Sequence, residues 1–522
     1  MTQTATAPQQ APTPSAQPQH VVAAIRRRLV PIDQRLDPYA WLAAIAITVI
    51  AFALRLYHLA SPPGKIFDET YYATDAHWLW EKGFEWDQNN NSAGYVVHPP
   101  LGKWIIALGE HLPGFGYTES GWRISAAIVG TISVLMVIRI AQRLFASTVL
   151  ACAAGILMTF DGMHFVLSRA ALLDIFLMFF ILAAFGAIVL DRDARRKRWL
   201  RFIESGGDPT GRGRDSRPPF EVPWWRLVAA VLLGCALAVK WSALAFIPVF
   251  VLLIMWWEVG VRRTAGVEHP IRDAVLDEFL WILACAPIMF VVYLSTWSGW
   301  LLTDGGYYRH WLRDTGESEP PFIGALQNLW HYHREAYNFH KGLTAEHTYQ
   351  SASHWAPIQW LLLGRPVAFY WSGDAPCGAS QCAREVLLLG TPLLWWAFLP
   401  ALIAATWFGF ARRDWRAGAI LAMCAAALVP WFFFPGRTMF FFYAAPAEPF
   451  LILALVFVLG CAINSPPGVP QNENRQLVAS IFAGAFVLMV VVMFAYFYPV
   501  FAGDSIPYAD WSRRMFLGNL WI

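Results

Sequence analysis

The sequence predicts an all-α polytopic membrane protein, and three observations predict it. Hydrophobic residues make up 57% of the 522 and charged residues only 14%, where a soluble chain of this size carries about a quarter. Apolar runs recur along nearly the whole chain, and each crossing needs about 20 such residues. Lys and Arg fall in alternate connecting segments, as the positive-inside rule requires of a chain whose N-terminus is inside. Mean hydropathy is +0.42, and the net charge of +3 gives no reason to expect a nucleic-acid partner.

Taken in order, residues 1–25 form a disordered cytoplasmic tail, rich in Pro, Gln, Ala and Thr, that cannot bury enough surface to fold. Arg26, Arg27 and Arg28 precede an apolar run at 41–59 that is too long for a signal-peptide core and lacks a convincing cleavage site, so it stays as a first span. Further spans are expected at 124–140, 149–163, 171–190, 227–239, 242–257, 279–296, 393–410, 417–434, 439–460 and 478–498, about 11 in all, with the C-terminus outside. Lys240-Trp241 interrupts the stretch 227–257, which reads as two short helices meeting at a polar tip.

Sidedness follows from the basic residues. Segment 191–226 carries Arg192, Arg195, Arg196, Lys197, Arg198, Arg201, Arg212, Arg214, Arg217 and Arg226 and is placed inside, as are Arg262, Arg263, Arg412, Arg413 and Arg416. Segment 208–219, with its Gly, Arg and Pro, reads as a linker. Loops 61–120 and 297–390 then lie outside. Residues 71–80 and 101–111 place apolar residues at helical spacing and are expected as short interfacial helices. The long loop, with aromatic-rich helical patches, reads as a cap over the bundle.

Of seven Cys, Cys152, Cys235, Cys285, Cys424 and Cys461 sit in or beside apolar spans and read as buried thiols. Cys377 and Cys382 lie in the long polar loop, where an oxidising compartment favours a disulfide. A zinc site needs two more ligands, and none is adjacent.

Loop 61–120 holds the chemistry: Phe67-Asp68-Glu69 and His98-Pro99-Pro100-Leu101-Gly102-Lys103. Neighbouring carboxylates diverge, so one can face a site while the other positions or caps. Each raises the other's pKa, which suits a base working near neutral pH. Arg123, Arg169, Lys240 and Arg437 share the outer side with Asp174. A charge at mid-helix costs about 2.5–3.5 kcal/mol on insertion scales, so each needs a reason. Snorkelling or an ion pair explains any one; four cations and two carboxylates on one face describe a site for an anionic headgroup next to a base. Arg169 and Asp174 are near one helical face and can pair, which favours a structural role for Asp174. Two readings fit His98 and Lys103: contact with donor or acceptor, or setting the angle of an interfacial helix. Asp68 and Glu69 are hard oxygen ligands for a divalent metal, yet no third ligand declares itself, and metal-independent chemistry without a cofactor is favoured. Irregular spacing of His331, His333, His340, His347 and His354 argues against a metal there.

These stretches, with Ser168-Arg169 to Leu173-Asp174, Val239-Lys240-Trp241, Trp360 to Tyr370 and Met439 to Tyr443, resemble the actinobacterial protein O-mannosyltransferases, relatives of the fungal and animal dolichyl-phosphate-mannose enzymes. The resemblance covers the chain from about residue 40 onward. It implies a GT-C glycosyltransferase fold over residues 26–522, a polyprenyl-phosphate-mannose donor, Ser/Thr hydroxyls of exported proteins as acceptors, inversion at the anomeric carbon and a site on the outer face of the cell membrane. Membrane lipids and the secretion translocon are the implied neighbours. Loop 297–390 is too short for the MIR domain of eukaryotic members, so nothing attributed to that domain carries over. On this reading Asp68 is the general base, Glu69 positions the loop or the sugar, and Arg123, Arg169, Lys240 and Arg437 are candidates for the phosphate. Two alternatives stay open: a transferase of the same fold acting on a glycolipid or cell-wall glycan, and a transporter, although no inverted repeat is visible.

Overall fold

Among the residues described, nine helices are long and apolar enough to cross a membrane, and two shorter apolar helices, Thr148–Thr159 and Trp224–Val239, occupy the remaining expected runs. The computed structural model describes residues 19–30, 38–211, 216–321, 323–352, 354–465 and 469–521. Residues 1–18 of the expected tail, and Arg212 and Arg214 of the basic segment, lie outside that set.

The chain runs α1 (Gln19–Leu29), α2 (Pro38–Leu56), α3 (Glu69–Lys82), a β1–β2 hairpin (Trp86–Asp87 and Ser92–Ala93), α4 (Leu101–Glu110), α5 (Glu119–Phe145), α6 (Thr148–Thr159), α7 (Gly162–Leu167), α8 (Asp174–Glu204) and α9 (Trp224–Val239). A 3-10 turn, Trp241–Ala245, leads into α10 (Phe246–Ala265), followed by α11 (Pro270–Ser295), α12 (Ser298–Leu302), α13 (Trp311–Asp314), α14 (Ile323–Gly342) and α15 (Ala356–Leu361). Strands β3 (Val367–Ser372) and β4 (Cys382–Leu388) precede α16 (Pro392–Ala411), α17 (Trp415–Leu428), α18 (Glu448–Ile463) and α19 (Glu473–Ala502), and β5 (Ser505–Pro507) and α20 (Tyr508–Ser512) follow.

Two expectations are corrected. The end of the supposed tail is helical from Gln19, because the helix has an apolar partner: Leu29 is buried against Trp199, Phe202 and Val261. The fold is mostly helical rather than all-α, since β3, β4 and β5 form an antiparallel sheet. Val367 pairs with Leu388 and Ala383 with Ile506, so the C-terminal segment closes the sheet. Alternating apolar and aromatic residues suit these strands, and strands this short escape a search for membrane-length runs. Cys377 and Cys382 are disulfide-bonded at the tip of the β3–β4 hairpin.

The interruption at Lys240 is structural. Its backbone is extended (φ −149°, ψ 140°), ending α9 and starting the 3-10 turn. Helix α9 is joined to α8 at both of its own ends, by Lys240 to Asp174 at 2.7 Å and by Arg226 to Asp191, midway along α8, at 2.8 Å. At 1.5 Å per helical residue the two bonds lie roughly 25 Å apart, which makes the helices antiparallel neighbours. At the Asp191 end, Arg226 and Arg195 each also pair with Glu258 and Glu278, all of them buried. Burial of charge is costly, and mutual pairing of this kind offsets the cost.

Candidate active site

The site is assembled where the N-terminus of α3 meets the starts of α5 and α8 and the Lys240 break. Phe67 takes a left-handed backbone (φ 45°), a conformation that costs a bulky residue about 1 kcal/mol or more. Packing offsets it: the Phe67 ring stacks on Phe369 of β3 at 4.7 Å and meets Phe442 edge-on at 5.8 Å. The turn delivers two adjacent carboxylates to different surroundings.

Glu69 is completely buried and fully engaged. It forms a bidentate pair with Arg123 (2.9 and 2.8 Å) and accepts from the backbone N–H groups of Ile66 and Ala171. Asp68, one residue earlier, makes no hydrogen bond through its side chain among the described residues. Burial pushes its carboxyl up to about 6, against the pull of nearby Lys240 and with a further push from Asp174. An acid held back from ionising by its surroundings, beside a cation, has the character of a general base.

Four of the expected residues line one cavity of about 600 Å³: His98, Asp174, Lys240 and Arg437. Trp241, Trp431 and Tyr443 form aromatic wall, and Leu244, Phe433 and Phe434, all exposed, form an apolar rim. His98 is kept neutral, first by burial and then by Lys240 and His340, and its Nδ1 is buried without a partner. Arg437 donates from Nη1 to the His340 carbonyl at 2.7 Å, while its Nε is buried and unpartnered.

The other expected residues are placed differently. All five N–H donors of Arg123 are used, on Glu69 and on the carbonyls of Leu59, Pro62 and Gly64, so none remains for a phosphate. Arg169 donates to the carbonyls of Arg55, Tyr57 and His58, satisfying the open C-terminus of α2, and is not among the residues lining the cavity. Asp174 does line the cavity, but its ion pair is with Lys240 and not the expected one with Arg169. Lys103 pairs with Glu85 and lies 3.8 Å from Asp75, away from the cavity lining. The neighbouring Gly102 explains its motif in packing terms: a Cβ there would come within 2.6 Å of Leu173 Cδ2. Among the described residues, no three His, Cys, Asp or Glu side chains gather as a metal set.

Sequence reasoning did not single out Tyr72, and it weighed His340 only as one of five irregularly spaced histidines. Tyr72 follows Asp68 by four residues on α3 and packs near His98, ring centroids 6.1 Å apart; the i, i+4 spacing was the available signal. Nothing local to His340 marks it.

The fold is shared with the S. cerevisiae protein O-mannosyltransferase Pmt1-Pmt2 complex bound to the sugar donor, with a TM-score of 0.68 at 16% identity, over 97% of this chain and 95% of that one. It is shared more loosely with the Archaeoglobus fulgidus oligosaccharyltransferase in the apo form, with a TM-score of 0.51 at 12% identity, over 90% and 57% of the two chains. The class is thus a polytopic membrane protein with the GT-C glycosyltransferase fold. Residues 45–206 match the dolichyl-phosphate-mannose-protein mannosyltransferase family, and residues 325–521 match the C-terminal four TMM region of protein-O-mannosyltransferase. The polyprenol-phosphate-mannose–protein mannosyltransferase of Mycolicibacterium smegmatis is 38% identical over 91% of this chain and 92% of its own, and that of Mycobacterium tuberculosis 37% identical over 91% of each. Protein O-mannosyl-transferase 1 of Rattus norvegicus is 28% identical over 48% of this chain and 34% of its own. The chain belongs to the polyprenol-phosphate-mannose–protein mannosyltransferase family and is a mannosyltransferase.

Proposed function

We propose that the chain transfers mannose from a polyprenyl-phosphate-mannose donor to Ser/Thr hydroxyls of exported proteins, with inversion, on the outer face of the cell membrane. One observation carries the assignment of roles: the unbonded Asp68 carboxylate lies near Lys240 and Asp174, an ion pair that lines a largely apolar cavity. Asp68 takes the proton of the acceptor hydroxyl as its oxygen bonds to the anomeric carbon. The bond from that carbon to the phosphate oxygen breaks, and Lys240 and Arg437 hold the departing polyprenyl phosphate. The apolar rim at Leu244, Phe433 and Phe434 suits the prenyl chain, and the basic residues at the far ends of α8 and α10 support the outer placement of Asp68. The phosphate charge is met by side chains, so the reaction needs no divalent metal.

Purified full-length protein with polyprenyl-phosphate mannose and a Ser/Thr peptide is expected to yield mannosylated peptide, at a rate unchanged by EDTA. Transfer to lipid acceptors alone overturns the protein-directed reading, and a loss with EDTA that a divalent cation restores overturns the metal-free one. The pH profile tests the base. With Asp68 raised to about 6, the carboxylate fraction falls as pH drops through that value, so kcat/KM is expected to fall about tenfold per pH unit below it. A profile flat down to pH 4.5 removes Asp68 from the role.

A further inference from the structure

Arg437 follows a run of exposed aromatic residues, in a segment that takes no regular helix or strand between Phe434 and Phe440. A cation meant to grip a phosphate needs its guanidinium fixed, and a loop alone does not fix it. The anchor comes from α14. Arg437 Nη1 donates to the His340 backbone carbonyl at 2.7 Å, and Nη2 lies 3.4 Å from His340 Nδ1. On its other side the His340 ring donates from Nε2 to the carbonyl of Val97 at 3.0 Å, next to His98. That bond sets the tautomer, leaving Nδ1 as the acceptor that faces Arg437. Burial and Arg437 hold the ring's pKa down at about 4, so it keeps that acceptor at working pH. His340 therefore joins three segments distant in sequence that meet at the cavity: the first outer loop at 97, α14, and the loop at 437.

A second histidine on the same face of α14 serves the other cation. His333 lies seven residues earlier, two helical turns away. Trp241, beside Lys240, stacks on the His333 ring at 5.7 Å and donates to Tyr293 Oη at 3.1 Å, and Tyr293 Oη lies 2.6 Å from His333 Nε2. One helix face thus braces the surroundings of both cations.

We propose that His340 is a positioning residue for the donor: its imidazole aims the Arg437 guanidinium at the phosphate and ties α14 to the loop carrying His98. This rests on Arg437 meeting the donor phosphate. The test is a cycle of H340A, R437A and the double variant, assayed with polyprenyl-phosphate mannose and the Ser/Thr peptide. H340A is expected to raise the donor KM about tenfold, as for loss of a hydrogen bond to a charged group, with kcat and the peptide KM within about twofold. In the R437A background it is expected to add less than about twofold, because the group it aims is gone. His340→Asn retains an acceptor in the Nδ1 place and is expected to recover most of the donor affinity, whereas His340→Gln, whose polar atoms reach the Nε2 place, is not. Multiplying effects of H340A and R437A, or equal donor KM values for the Asn and Gln variants, overturn the proposal. If H340A does not fold, the Asn and Gln pair decides it. A donor KM unchanged in R437A also overturns it, and that failure is separate from the peptide assay, which tests mannosyl transfer itself.

Discussion

Asp68→Asn is expected to lower kcat by about 10²–10⁴-fold, the usual contribution of a positioned general base, while the protein folds and binds donor as before. The substitution is nearly isosteric, and the side chain makes no hydrogen bond that its loss would break. It removes a carboxylate that burial already disfavours, so stability is expected to hold or rise slightly. Turnover of mannosyl peptide measures the first effect and thermal unfolding in detergent the second. Wild-type turnover in the variant excludes Asp68 as the base, and the neighbouring Glu69, locked on Arg123, is in no position to replace it.

Arg123→Met is expected to act in the opposite manner, destabilising the protein by about 3–5 kcal/mol, the cost of leaving one partner of a buried pair alone. The side chain is completely buried, and its removal strands Glu69 and three carbonyls between Leu59 and Gly64. Global stabilities of about 5–15 kcal/mol leave little margin for such a loss. Chemical or thermal unfolding of the purified variant checks it. The double variant with Glu69→Met is expected to recover part of the loss, since no charge is then left unpaired. A stably folded Arg123→Met protein with a raised donor KM would return Arg123 to the phosphate.

The sequence made the helices legible because hydropathy acts over lengths comparable to a bilayer. It placed the break at Lys240 and short helices near 71–80 and 101–111, where α3 and α4 stand. The strands escaped because six or seven residues of alternating pattern leave little mark in a window of about 20. Among the cations, composition could show that Arg123, Arg169, Lys240 and Arg437 sit near one end of the bundle. It could not say which faced a cavity, because that depends on where α2 ends. Helix α2 stops at Leu56, and the carbonyls of its last turn and beyond need donors; Arg169 answers those of Arg55, Tyr57 and His58, and Arg123 those of Leu59, Pro62 and Gly64. Both partnerships span at least 59 positions of chain. The likeness to known families carried the activity; it could not distinguish a guanidinium that holds a loop from one that meets a ligand.

The two ion pairs linking α8 to α9 have a mechanical consequence. Bonds at two levels roughly 25 Å apart oppose both sliding and splaying of α9 against α8, which holds Lys240 at a set level beside Asp174. The loop at Arg437 is held to its neighbours in another way, by hydrogen bonds to the end of α14 and the segment after it.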